Sequence, residues 1–429
     1  MSESVLTYAH LRAAVEGTAA AFRAVTDLDP AGGDGDKLFP PTYEGGVYAR
    51  ETRIIAGQPT PCVLLDSVQS QANRLELALL EWHRGTAGES ERPFPLVQID
   101  FSGTEASEVG VFSALEAPHR IADAVFLASE IEEVEDGGRR VTKPFRHPKD
   151  PAQGSKIGRG IDQSSTSNAT ALFGLCPTAL IFGTWDSHGA RGGLGEKFQR
   201  ALVSEIIGIG ATEDNRRPTS RIDPLIPIAG ESLPIAINED KSWAVAEKGN
   251  GKSRLSEVGL GNVTPSLRLP RSDQFNHGGV TVQFARQIAV LSLPALRRLR
   301  FPLSGKRPEE QREVDVAAWA TLAALGLAAL ARQWVAGFSL RSRCDLVPRR
   351  GLLISLISAG HEEPFALDVD AAASLLRTAA RQAREVGLPW PADGSAPEPW
   401  RNGCLTLKPN RELAKAVAQS RRLAAEQRE

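Results

Sequence analysis

The stretch from Cys62 to Arg84, CVLLDSVQSQANRLELALLEWHR, constrains the fold most, because an apolar run passes through a short polar junction into a helical repeat. Val68, Ala72, Leu75, Leu79 and Trp82 recur at the spacing of one buried helix face. Asp66 stands where it can cap that helix, and Gln69, three residues on, where it can complete a capping box. The segment therefore predicts strand, turn, helix. Its other face is rich in uncharged hydrogen-bonding groups. Ser67, Gln71 and Arg74 fall at i, i+4 and i+7, beside Ser70 and Asn73, around a helix start whose free N–H groups and dipole favour an anion. That pattern suits a phosphate; a capped amphipathic helix with a solvated face has the same spacing.

At 429 residues, with 41% apolar and 24% charged content, the chain has material for one large elaborated core or two domains. The formal net charge of -2 excludes a bulk electrostatic attraction to nucleic acid, so any such attraction must come from segregated charge. Cys62, Cys176, Cys344 and Cys404 stand far apart without a CxxC or paired histidines, which argues against a disulfide framework and a zinc site; no metal or cofactor is expected. The apolar run Ala317 to Ala331 is too short and alanine-rich for a membrane span, and the N-terminus lacks a signal-peptide pattern. A cytoplasmic protein without a membrane partner is expected.

Leu6 to Val25 reads as an alanine-rich helix. The loop from Pro30 to Gly46 follows, where Lys37, Phe39 and Tyr43 supply one cation and two rings that could meet RNA backbone and bases, or could pack the loop on itself. Leu96 to Phe101 reads as a strand and Pro118 to Ser129 as a helix. Charge then changes sign: Glu130, Glu132, Glu133, Glu135 and Asp136 precede Arg139, Arg140, Lys143, Arg146, Lys149, Lys156 and Arg159. With its prolines and glycines this is a loop or hairpin insertion, and cations on such a backbone can track phosphates; a solvated charged loop reads the same.

Ser164 to Leu175 is expected to be helical and Thr178 to Thr184 a buried strand. A second glycine-rich junction would then lead into a helix carrying Phe198, Leu202 and Ile206 inside and Lys197 and Arg200 outside. Its glycines, Gly192 and Gly193 among them, would let backbone N–H groups approach a phosphate, with His188 and Arg191 adding contacts. Ala211 to Gly279 loses regularity and reads as an insertion projecting from a sheet. Within it AEKGNGKS, Ala246 to Ser253, resembles a phosphate loop but lacks the flanking strand and helix that such a loop needs. Val280 to Leu293 resumes as a strand, and Glu313 to Val335 as an apolar helix. Phe338 to Val347 is a strand with alternating Arg341 and Arg343, Leu352 to Ile357 another, and Asp370 to Glu385 and the tail from Arg411 are helices.

Strand-to-helix units joined in this way predict an α+β fold, a βαββαβ core of the RNA-recognition, ferredoxin-like type with large insertions and extra C-terminal helices. DKLFPPTYEGG (Asp36 to Gly46), LLDSVQSQANRLE (Leu64 to Glu76) and ALIFGTWDSHGARGGLGEKFQRALVSEIIG (Ala179 to Gly208) resemble the signature blocks of the backbone RAMP subunit, Cas7-type, of type I-U, or I-G, CRISPR Cascade. The likeness runs to about Pro302. It implies one discontinuous palm over 1–429, a basic finger at 130–163, a thumb at 211–279, and C-terminal elements from 303 to 429 that complete or decorate the palm. It further implies a protein of antiviral defence, not an enzyme. The partners would be CRISPR RNA, the target DNA strand reached through the guide, head-to-tail copies of the chain, and the large and cap or processing subunits of Cascade. Such a protein must hold any guide and therefore contacts backbone rather than bases. By motif, Ser67, Gln69, Ser70, Gln71, Asn73 and Arg74 would face the guide, with Lys37, Phe39 and Tyr43 nearby. His188, Arg191, Gly192, Gly193, Lys197 and Arg200 would do so at the second junction, and Arg146, Lys156 and Arg159 on the finger. TALIFGTWD offers only Phe182 and Trp185 as rings, so stacking of bases on the sheet is not expected. The rival expectation is a RAMP-type endoribonuclease with His188 as general base, or a nucleotide hydrolase using Lys252; neither finds a partner group by spacing.

Overall fold

The computed structural model describes residues 4–86, 92–134, 137–187, 197–213, 219–229, 233–238, 240–246, 253–266, 278–392, 399–401 and 403–426. The architecture is mixed α+β around a ten-stranded sheet. In chain order its strands are β1 (Ser4–Val5), β2 (Ala21–Pro30), β3 (Arg50–Ile55), β4 (Gln58–Asp66), β5 (Leu202–Ile209), β6 (Phe284–Ser292), β7 (Phe338–Arg341), β8 (Cys344–Pro348), β9 (Leu353–Ser358) and β10 (His361–Ala366). They stand in the order β1-β10-β9-β2-β6-β5-β4-β3, with β8 beside the far end of β2 and β7 beside β8. The four central strands, β9-β2-β6-β5, are antiparallel to their neighbours throughout.

Four helices cover one face: α1 (Tyr8–Glu16), α2 (Val68–Gly85), α3 (Pro308–Ala336) and α4 (Val369–Glu385). Strand alternation makes this possible. Phe22, Ala24, Thr26 and Leu28 of β2 and Ala285, Gln287, Ala289 and Leu291 of β6 point to the covered side, and the residues between them do not. The central helix α3 begins with Pro308 at its first turn and ends at Gly337, whose φ of 86° is a left-handed conformation natural to glycine. It is long and apolar enough to cross a membrane by length and composition, and its apolar window is entirely buried inside the protein. The expected run Ala317 to Ala331 is thus the middle of a longer core helix.

A second sheet joins segments far apart in sequence. Cys404–Pro409 lies parallel to Leu96–Asp100 and antiparallel to Ser129–Val134, and its residues share the main core. The described parts of 211–279 form separate small pairings, Thr219–Arg221 with Val263–Ser266, and Pro234–Ile237 between Trp243–Val245 and Ser253–Arg254. Lys252 lies outside the described residues.

Several expected elements differ: Pro118 to Ser129 is not one helix but the short turns Arg120–Ala122 and Ala124–Leu127, Ser164 to Leu175 is helical only over Thr170–Leu175, and Phe338 to Val347 is the two strands of a hairpin. Leu6 to Val25 divides into α1 and β2, because from Ala21 onward burial alternates with period two. Thr178 to Thr184 is mostly helix, Pro177–Phe182, with Pro177 starting it and all six residues buried; a short apolar run has no period to tell helix from strand. The expected helix after the second junction is instead the short strand Lys197–Phe198 followed by β5. The units that cross the sheet are consequently those carrying α2 and α3.

Candidate nucleic-acid interface

β4 delivers its last residue, Asp66, into the core, and Ser67 rather than Asp66 caps α2, its side chain accepting from the Ser70 N–H at 3.3 Å. The expected cap therefore moves by one residue. Asp66 is fully buried and instead accepts from Gln71 Nε2 at 2.6 Å and Arg74 Nε at 2.9 Å, with an Arg341 guanidinium nitrogen 3.4 Å away. Gln71 then continues a polar seam through the apolar core: Ser204 Oγ on β5 donates to Gln71 Oε1 at 3.0 Å, and Gln287 Nε2 on β6 reaches Gln71 Oε1 at 2.9 Å and Gln333 Oε1 on α3 at 3.0 Å. All four side chains are buried. Buried polar groups that satisfy one another fix a single arrangement of the elements that carry them, so the seam sets how α2 sits on the sheet.

This corrects the reading of Gln71 and Arg74 as open guide contacts. Gln71 is inside. Arg74 folds back on Asp66 and also donates to the carbonyls of Ser339 at 3.2 Å and Leu340 at 2.5 Å, while Arg341 Nη1 donates to the Leu65 carbonyl at 2.7 Å. These bonds seat the β7–β8 hairpin on the start of α2. What α2 leaves exposed in its first turns is Gln69 and Asn73, with Ser67 and Ser70 half-buried.

The loop after β2 meets the same hairpin. Leu38 is buried and bridges Val280, the Phe39 N–H donates to the Arg343 carbonyl at 3.0 Å, and the Arg343 guanidinium lies 4.4 Å above the Phe39 ring. Tyr43 is 45% exposed and Lys37 half-buried. The Lys37–Tyr43 loop, the hairpin turn and the α2 start are thus linked by direct contacts into one polar, partly cationic edge. On the hairpin, burial pushes the Cys344 thiol up to about 11, so it stays protonated.

The second junction is built on the hairpin of Thr184–Trp185 with Lys197–Phe198. Lys197 Nζ sits 4.4 Å over the exposed Trp185 ring, and Arg200 Nε donates to the Phe182 carbonyl at 3.2 Å. Underneath, Arg120 is buried with a two-point grip on Glu76 of α2, at 2.6 and 2.8 Å, and donates to the Gly183 carbonyl at 2.7 Å. His188, Arg191, Gly192 and Gly193 lie outside the described residues.

The sign change near Asp136 has a local cause. Ser129–Val134 and Arg140–Pro144 form an antiparallel hairpin at the margin of the second sheet, pairing Ile131 with Lys143 and Val134 with Arg140. Acidic strand faces basic strand, and Glu132 also meets Lys408 at 3.3 Å. Arg146 is not a surface contact: it is fully buried between Asp162, at 2.5 Å, and Asp186. A buried arginine held by two carboxylates locks this hairpin to the second junction. Lys156 is exposed and Arg159 half-buried. Among the described residues no group of three or more His, Cys, Asp or Glu side chains could hold a metal ion.

The residues missed by sequence reasoning are Arg341 and Arg343. Their alternation was visible, yet nothing in it showed that the hairpin would fold back some 270 positions onto α2.

A fold of this kind, with a polar helix start and cation-bearing loops along one edge, defines an α+β protein with a candidate nucleic-acid interface. Residues 22–213, a little under half of the chain, match the family described as CRISPR-associated protein GSU0053. The span runs from β2 to just beyond β5 and contains every guide-facing residue expected from the sequence; β7 and β8 lie beyond it. Among solved structures the chain is similar to Thermofilum pendens Csc2, at 13% identity and a TM-score of 0.28, over 86% of this chain and 78% of that one. No curated protein matches.

Proposed function

We propose that this protein is the guide-binding backbone subunit of a type I-U, or I-G, Cascade, polymerising along CRISPR RNA and presenting it for pairing with target DNA. The family match over residues 22–213 carries the reading. The strand order β9-β2-β6-β5, with crossovers through α2 and α3, supports it, since a ferredoxin-like βαββαβ palm would order its strands in this way. The exposed groups support it too. Gln69 and Asn73 at the α2 start, with Lys156 at the head of a short helix and Lys197 on the Lys197–Phe198 strand, suit phosphates and 2'-hydroxyls without reading bases. The subunit works in the cytoplasm as a binder rather than a catalyst, with copies of itself and the other Cascade subunits as partners. The absorbance ratio of protein purified from its host tests this directly. Excess absorbance at 260 nm, removed by RNase, is expected; RNase-insensitive protein of ordinary ratio would overturn the proposal.

A further inference from the structure

The turn of the β7–β8 hairpin has only two residues, Ser342 and Arg343, between the paired Arg341 and Cys344. Arg343 adopts φ of 60°, a left-handed conformation in which glycine or asparagine is the default and a long side chain is strained. Its neighbours of like charge are engaged, Arg341 with Asp66 and Arg349 with Asp29. Arg343, by contrast, is exposed, and among the described residues no carboxylate pairs with it. Among the described residues its side-chain contact is with the Phe39 ring beneath it.

A guanidinium over a ring face takes up no hydrogen-bond acceptor there. Stacking on an aromatic ring leaves the in-plane N–H donors of arginine directed outward, which is the two-point arrangement that fits a phosphate. The Phe39 N–H bond to the Arg343 carbonyl fixes the turn, and the Arg341 and Arg74 bonds fix the hairpin on the β4 end and the α2 start, so the cation is held in place on the folded protein. Strain held at one residue by the structure around it is a mark of functional sites. We infer that Arg343, seated on Phe39, is a phosphate-gripping residue for single-stranded RNA, supplied by a hairpin outside the family-matched span. This rests on the RNA-binding reading above.

The test is the affinity of the full chain for a fluorescently labelled single-stranded RNA of scrambled sequence, short enough to hold one subunit, across a salt series. Arg343→Gly suits the backbone at this turn and so should fold and melt at or above the wild-type temperature. It is expected to bind RNA roughly tenfold more weakly at low salt, as for the loss of one charge-assisted contact. Its logarithmic salt slope should be shallower by about 0.7. Arg343→Lys should keep the slope and recover part of the affinity. Folded Arg343→Gly with wild-type affinity and slope would overturn the inference while leaving the RNA-binding reading intact. So would lowered thermal stability with unchanged RNA binding, which would make the stack on Phe39 a structural pin. Wild-type protein that fails to bind the RNA would overturn both.

Discussion

Arg74 gives the sharpest contrast between what its position in the sequence suggests and what its bonds require. As a solvated arginine on a helix face it would contribute under about 0.5 kcal/mol, and Arg74→Ala would leave stability unchanged. The structure gives it three hydrogen-bonding partners: the fully buried Asp66 carboxylate, and the Ser339 and Leu340 carbonyls. Breaking a buried ion pair costs about 3 to 5 kcal/mol when the remaining charge is abandoned. Here Gln71 and Arg341 still hold Asp66, and the Arg74 side chain is 29% exposed, so the loss falls nearer a single charge-assisted bond. About 2 kcal/mol is therefore expected for Arg74→Ala. Urea unfolding would show a lower midpoint with an unchanged slope, since no large change in exposed area accompanies the loss. Arg74→Lys keeps the charge but not the three-way fork and should fall between. RNA affinity of the folded fraction should drop only as far as the hairpin and the α2 start loosen. A midpoint within error of wild type, together with a large loss of RNA affinity, would refute the clasp and restore Arg74 as a guide contact.

Three further outcomes follow from the same contacts. Arg146→Ala should destabilise by about 3 to 5 kcal/mol in urea melts, because a fully buried guanidinium loses its ion pairs with the buried Asp162 and with Asp186; a loss under about 1 kcal/mol would contradict the burial. Gln69→Ala and Asn73→Ala should leave the urea midpoint in place and weaken RNA binding, since both side chains are exposed at the α2 start; unchanged binding in the double variant would remove that turn from the interface. His83 is buried at the end of α2 and burial lowers its pKa from 6.5 to about 4, so the unfolded chain takes up its proton first as pH falls. Its contribution is complete above about pH 6.5 and is lost as pH falls toward about 4, with roughly 2 kcal/mol gone at about pH 5. His83→Leu should flatten that part of the stability profile, and an equally steep profile would show that other groups cause it.

Much of the fold was legible where one period dominated. The capped start and apolar stripe of α2, the long alanine and leucine helix α3 and the strand β6 all follow from spacing. The failures have local causes. Ala21 to Val25 continues an alanine-rich helix in composition, and only the long-range pairing of β2 with β6 and β9 turns it into strand. Beyond Thr178, TALIF has no polar residue to mark a period, so nothing in it separates a buried helix from a buried strand. In the site, the polar identity of the α2 start was readable but its direction was not. Gln71 lies inside because Ser204 and Gln287 meet it from strands more than a hundred residues away. The run from Glu130 to Arg159 resembles a free basic loop in sequence because its acidic partners come first and fold back only in the hairpin. Arg146 needed the positions of Asp162 and Asp186 to be recognised as core.

The central claim is assembly along a guide, and the mass of the purified protein on RNA of graded length tests it most directly. A head-to-tail interface that does not close on itself extends for as long as the scaffold allows. Native mass measurements should therefore show complexes that gain one subunit for each fixed increment of RNA, with scrambled sequences of equal length giving equal masses. A closed dimer whose mass ignores RNA length, or a complex that forms on only one sequence, would contradict it.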